Sequence, residues 1–216
     1  MYIPQLISGK SIFSLDKKYF YMYENWQLWG TKPELESKFN IERLKGNLSD
    51  MESTKQLSNL ISDCYEPGMK ILDVGCNVGH YLIGLRRNFP TLNYTGVDAY
   101  GDYIDEAKKA FSSDTNAHFE VKDIFKPILP DTKFDIVYCC NVLLHLPDFK
   151  IPVTNLLNNT KKICFFRTLI SDHTSIVKSP LVDIYDENGK FKEFWYLNTW
   201  NKEYIDKFIK ELGWKT

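Results

Sequence analysis

From Met69 onward, short apolar runs alternate with amphipathic stretches, the rhythm of repeated strand and helix units. Five runs read as strands: Lys70–Val74, Tyr94–Val97, His118–Val121, Phe134–Cys140 and Lys162–Arg167. Helical stretches fall between them at Gly79–Asn88, at Asp102–Phe111 and, more briefly, near Pro152–Leu157. Crossovers between parallel strands are almost always right-handed, so the pattern predicts an α/β fold: a mainly parallel, doubly wound sheet with helices on both faces.

Both flanks of this region break the rhythm. Tyr19 to Trp29 is crowded with aromatics without a clear period and is expected to dock on the core or fold over a ligand. Thr31-x-x-Glu34 and Ser49-x-x-Glu52 each have capping-box spacing and mark two helix starts. Leu57, Leu60, Ile61 and Cys64 then form one apolar face that should pack on the following domain. The chain therefore divides into an N-terminal helical extension, 1–66, and a domain, 67–216, with an insertion at 170–197. Within the insertion, Leu181–Tyr185 and Phe191–Tyr196 flank Asp186-Glu187-Asn188-Gly189, a hairpin signal. Asn201–Leu212 carries Ile205, Phe208, Ile209 and Leu212 on one face and stops at Gly213.

Chemistry concentrates where strands end. Ile71-Leu-Asp-Val-Gly-Cys-Asn-Val-Gly79 runs from an apolar strand into a glycine turn and a helix. Gly75 allows the turn, Gly79 allows close approach of the helix, and backbone amides then face a crevice. Asp73 should stand beside that crevice, where a carboxylate can help hold a cationic amine. A dinucleotide site would need further glycines at positions held by Asn77 and His80, which weakens a nicotinamide reading without removing it.

The segment resembles motif I of class I S-adenosylmethionine-dependent methyltransferases, D/E-x-G-x-G-x-G, with Asn77 in place of the middle glycine. Asn tolerates left-handed backbone angles, so the departure is mild. The resemblance runs from Met69 to Arg167 and implies a Rossmann-like sheet with S-adenosyl-L-methionine as cofactor. It makes Asp73, Gly75, Cys76, Asn77 and Gly79 cofactor-binding residues. It also implies that Asp98, ending the second strand, bonds both ribose hydroxyls, while Ala99 and Tyr100 pack against adenine. Asp123 and Ile124 would meet the adenine amino group and a ring nitrogen, and Asn141 would line the methionine end. His145, after the fourth strand, would face the acceptor and is the first candidate for a general base; it reads equally as a packed loop histidine. His80 reads as a packing residue, and His118 and His173 carry no positional argument.

Composition narrows the acceptor. A net charge of -1 offers no basic excess for a phosphate backbone. No Asn/Asp-Pro-Pro-aromatic sequence, which resembles enzymes methylating nucleic-acid bases, follows the fourth strand. Both observations favour a small-molecule or carrier-bound acceptor over nucleic acid, methylated on O or N. The five cysteines lack CxxC spacing and read as reduced structural thiols, with no metal site. The absence of a membrane-length apolar run or signal-like start leads to a cytoplasmic, non-membrane expectation. The resembled sheet commonly ends with two further strands, yet only three residues follow Gly213. A shortened chain, the insertion or a partner chain would account for that edge, which leaves a homo-oligomer open. Two other functions stay in play: a non-catalytic protein retaining the fold, and a nicotinamide-dependent enzyme.

Overall fold

The alternating runs do form a parallel sheet in a computed structural model of the chain, which describes residues 5–6, 38–180, 185–190 and 194–216. The first elements are β1 (Gln5–Leu6), α1 (Lys38–Leu44) and α2 (Glu52–Ser62). The repeated units follow as β2 (Lys70–Val74), α3 (His80–Asn88), β3 (Asn93–Asp98), α4 (Gly101–Ala110), β4 (Ala117–Val121) and β5 (Phe134–Cys140). After a 3-10 turn at Leu143–His145 come α5 (Lys150–Asn159) and β6 (Thr160–Arg167). The insertion contributes β7 (Leu169–Ser171), β8 (Lys178–Pro180), β9 (Phe194–Tyr196) and, at its far side, β10 (Thr199–Asn201). The last elements are α6 (Lys202–Glu211) and β11 (Trp214–Lys215).

Strand order in the large sheet is β11-β1-β6-β5-β2-β3-β4, with β6 through β4 all parallel. Alternation along the strands feeds two cores. Ile71, Tyr94, Ile136 and Phe165 face α2, α3 and α4, whereas Leu72, Val97, Val137 and Phe166 face α5 and α6. Helices therefore cover both faces, as predicted. The chain leaves β2 toward β3 and β4 on one side and returns through β5 toward β6 on the other. This reversal opens a crevice at the carboxyl ends of β2 and β5.

Among the described residues the insertion does not close the sheet edge beyond β6. Instead β1 pairs antiparallel with β6 at Gln5 and Ile163, and β11 pairs antiparallel with β1. The insertion builds two small sheets of its own, β10 with β7 and β8 with β9. Its Asp186–Gly189 turn is present: the Gly189 amide donates to the Asp186 carbonyl at 3.0 Å, and Gly189 sits at φ 72°.

Other expectations need correction or fall elsewhere. Ser49 does not cap α2; Met51 is the N-cap, in extended conformation without a side-chain bond, and Glu52 is already the first helical residue. Asp50 instead ion-pairs with Arg87 of α3. Leu57 and Ile61 are fully buried on the predicted face, and Tyr81 of α3 donates its hydroxyl to Ser53 of α2 at 2.8 Å. The aromatic stretch 19–29, the Thr31/Glu34 cap and parts of the hairpin strands, 181–184 and 191–193, lie outside the described residues. All five cysteines are unbonded and four are buried. No described helix is long and apolar enough to cross a membrane.

Candidate functional site

A cavity of about 290 Å³ occupies the crevice where the strand order reverses, lined by residues of β2, β3 and β5, of the segments after β4 and β5, of α1, α3 and α4, and by Met51, the N-cap of α2. Its floor is the glycine turn. Gly75 takes φ 80°, and a Cβ there would stand 2.2 Å from Val142 Cγ2, so only glycine lets the turn pass under the segment after β5. Asn77, where the resemblance wants glycine, takes the left-handed region at φ 51°. Its own side-chain oxygen accepts the Val78 amide at 2.9 Å. Gly79 also has positive φ, but its missing Cβ makes room for Phe111 and Phe119 rather than for the cavity.

Asp98 ends β3 on the cavity wall. Its two oxygens are held separately, Oδ2 by the Asn77 amide at 2.8 Å and Oδ1 by the Tyr100 amide at 3.1 Å. Burial pushes its pKa up to about 6, against the opposing effect of these amides. A carboxylate oxygen holding one donor can accept another, so Asp98 can take a pair of hydroxyls from the cavity. Ala99, Tyr100 and Ile124 line the same wall, joined by Tyr103, whose ring meets that of Tyr100 edge to face at 5.4 Å.

Beyond β5, Asn141 adopts φ 61° and accepts a bond from Arg167 of β6. His145 closes the next turn, and the insertion braces it. His145 Nδ1 lies 2.8 Å from the Tyr196 carbonyl, which can only accept, so the ring proton sits on Nδ1 and the basic lone pair on Nε2. Asn198 is fully buried; its backbone amide donates to Leu144 and its side chain to Leu146, at 2.8 and 2.7 Å. Trp200 Nε1 adds a bond to Leu143 at 3.2 Å. Burial holds the His145 pKa below the ordinary imidazole value, partly offset by the Tyr196 carbonyl, so the ring is neutral near pH 7 and able to accept a proton.

A family described as "Methyltransferase domain" matches residues 72–164, the stretch that builds this cavity. The chain therefore carries a methyltransferase domain over those residues. It is 32% identical over 99 residues to phosphoethanolamine N-methyltransferase 3 of Arabidopsis thaliana, covering 45% of this chain and 20% of that protein. Identity is 30% over 99 residues with the 2-methyl-6-phytyl-1,4-hydroquinone methyltransferase of Synechocystis, covering 46% and 31%. The chain thus spans well under half the length of these curated relatives. A solved magnesium protoporphyrin IX methyltransferase from Synechocystis, with bound SAM, superposes at TM-score 0.55 with 16% identity, covering 94% of this chain and 88% of the other. The [4+2]-cyclase SpnF superposes at 0.60 with 17% identity, covering 88% and 73%. Likeness at that identity extends to fold alone.

Within the methyltransferase domain, Gly75, Asn77, Asp98, Ala99, Tyr100, Ile124, Asn141 and His145 all border the cavity. Four other expected residues do not. Asp73 is buried beneath the turn, where Tyr94 and Tyr138 donate to its Oδ2 at 2.7 and 2.9 Å; desolvation pushes its pKa up to about 7. It therefore does not stand beside the crevice to hold an amine. Cys76 is 1% exposed and packs toward Gly96. Asp123 turns back to accept the Phe125 amide at 2.9 Å and pairs with Lys126. Gly79 serves helix packing, as above. Reading along the chain missed Asn40, Met51, Tyr81, Tyr103 and Lys122, and assigned His80 to packing; all six border the cavity. Only Tyr103 carried a signal, three residues past Tyr100 at the start of a predicted helix.

Proposed function

We propose that the chain is an S-adenosylmethionine-dependent methyltransferase acting on oxygen or nitrogen of a small-molecule or carrier-bound acceptor. The observation that carries this reading is Asp98, clamped by two amides at the mouth of a glycine turn with an accepting position left on each oxygen. The residues suit the cofactor: Asp98 for a ribose diol, the Ala99–Tyr100 and Ile124 walls for adenine, and the open turn at Gly75 and Asn77 for the chain beyond. When bound, S-adenosylmethionine supplies a methyl group already activated on sulfonium, so the protein's share is orientation, exclusion of water and proton handling.

On this reading Asn141, fixed by Arg167, shapes the methionine end, and His145 takes a proton at Nε2 from an acceptor that does not lose it readily. Tyr196, by accepting from Nδ1, holds the tautomer that makes this possible. The named relatives act on phosphoethanolamine and on a hydroquinone, which supports a small acceptor and leaves both N and O open. Balanced charge supports the same choice over nucleic acid.

Calorimetric titration of the chain with S-adenosylmethionine and S-adenosylhomocysteine tests the reading. Micromolar binding of either is expected. A folded, ligand-free preparation that binds neither would overturn it, and binding of NADH instead would favour the nicotinamide alternative.

A further inference from the structure

β4 is the last strand of the large sheet, paired with β3 on one side and, among the described residues, with no strand on the other. The register shows which backbone groups face outward. The Tyr94 amide donates to the Asn116 carbonyl and the Lys122 amide to the Asp98 carbonyl, both at 2.8 Å, so His118 and Glu120 turn their amides and carbonyls toward β3. Ala117, Phe119 and Val121 therefore turn theirs to the open edge. The Ala117 amide is taken by the Asp114 carbonyl at 3.2 Å. Val121, 52% exposed, stands at the end of the strand. An open edge carrying an exposed apolar side chain is a template for another strand.

The side chains indicate which strand. When two copies of β4 pair antiparallel about a two-fold axis at Phe119, the two Phe119 residues exchange amide and carbonyl bonds. The Val121 amide then meets the Ala117 carbonyl of the other copy, and the Val121 side chain packs against Ala117 there. His118 of each copy stands directly opposite Glu120 of the other. An imidazole N–H can donate to a carboxylate in either protonation state, and Glu120, exposed and paired at 3.1 Å with Lys122 of its own chain, can take a further donor. A shift of two residues sets His118 on His118 or Glu120 on Glu120, and the latter brings like charges face to face. A shift of one sets outward groups against inward ones, and larger shifts carry the pairing past the ends of β4.

We propose that β4 is a self-association edge, on which a second copy of this chain adds its own β4 antiparallel in the register that sets His118 against Glu120. The contact is one short strand on each side, so association is weak and depends on concentration.

Sedimentation velocity of the full chain from about 10 μM to about 1 mM should show a monomer–dimer equilibrium. Glu120→Lys is expected to weaken it by about tenfold or more, and adding His118→Glu, which restores opposite charges across the axis, to recover it. Val121→Pro removes an outward amide that β3 does not use and should weaken the dimer without changing charge. Cross-linking reads the register. Cys64 is the one cysteine that is not buried, so in a Cys64→Ser background His118→Cys mixed with Glu120→Cys should form a disulfide-linked dimer faster than either variant alone. A chain monomeric at about 1 mM, a dimer indifferent to Glu120→Lys or to Val121→Pro, or faster linkage within either single variant overturns the proposal.

Discussion

Asn198→Ala, just past the insertion, should destabilise the chain by about 2–4 kcal/mol. The side chain is fully buried and bonds on both sides: Nδ2 donates to the Leu146 carbonyl at 2.7 Å, and Oδ1 accepts the Val177 amide at 3.1 Å. Alanine keeps the backbone bond to Leu144 and removes both of these. The Leu146 carbonyl is buried, so orphaning it costs about 1–3 kcal/mol, whereas the Val177 amide lies nearer solvent and costs less. The vacated volume adds roughly 1 kcal/mol. For a chain of this size the sum lowers Tm by about 5–15 °C. Urea unfolding at pH 7.5 measures it, and imidazole ¹⁵N shifts report whether His145 keeps its proton on Nδ1. A loss below about 1 kcal/mol with unchanged His145 shifts would refute the argument that the insertion holds the 3-10 turn in place.

Three further outcomes follow from the site. Gly75→Ala should cost about 2 kcal/mol or more, from positive φ and from overlap with Val142 Cγ2; adding Val142→Ala should recover the overlap but not the φ penalty, and a double variant melting no higher than the single one would exclude the steric account. Asp98→Ala should weaken S-adenosylmethionine binding at least tenfold by calorimetry, and unchanged affinity in a folded variant would remove the diol assignment. Asp73 has a folded pKa raised to about 7, so its neutral form contributes stability that is fully present below about pH 4 and lost as pH rises through 7. Asp73→Asn should therefore gain on wild type between pH 4 and 8, by up to about 4 kcal/mol, and a stability difference flat across that range would contradict the assigned burial cost.

The five parallel strands were legible because short, mostly apolar runs alternate with amphipathic stretches, and Asp98 because the resemblance puts an acidic residue at the end of the second strand. Asp73 was misread although the needed clue lies in the strands. Tyr138 is its direct neighbour on β5, and on β3 its neighbour is Gly96, whose lack of a side chain lets Tyr94 lie across to the carboxylate. Single-strand reading cannot see that register. The edge strands were invisible for a different reason, since two residues at β1 and two at β11 have no period to detect. Asn40 and Asn198 meet their partners across separations of 37 and 52 residues, and nothing local in either segment announces it. The insertion was legible as a break in the rhythm and through its Asp186–Gly189 turn, but not through the contacts it makes. Its strand β9 also carries the Tyr196 carbonyl that sets the His145 tautomer, and Asn198, just past its end, holds Leu146. With His145 as the proposed base, a change in the insertion that moves the Tyr196 carbonyl will shift the orientation of that base.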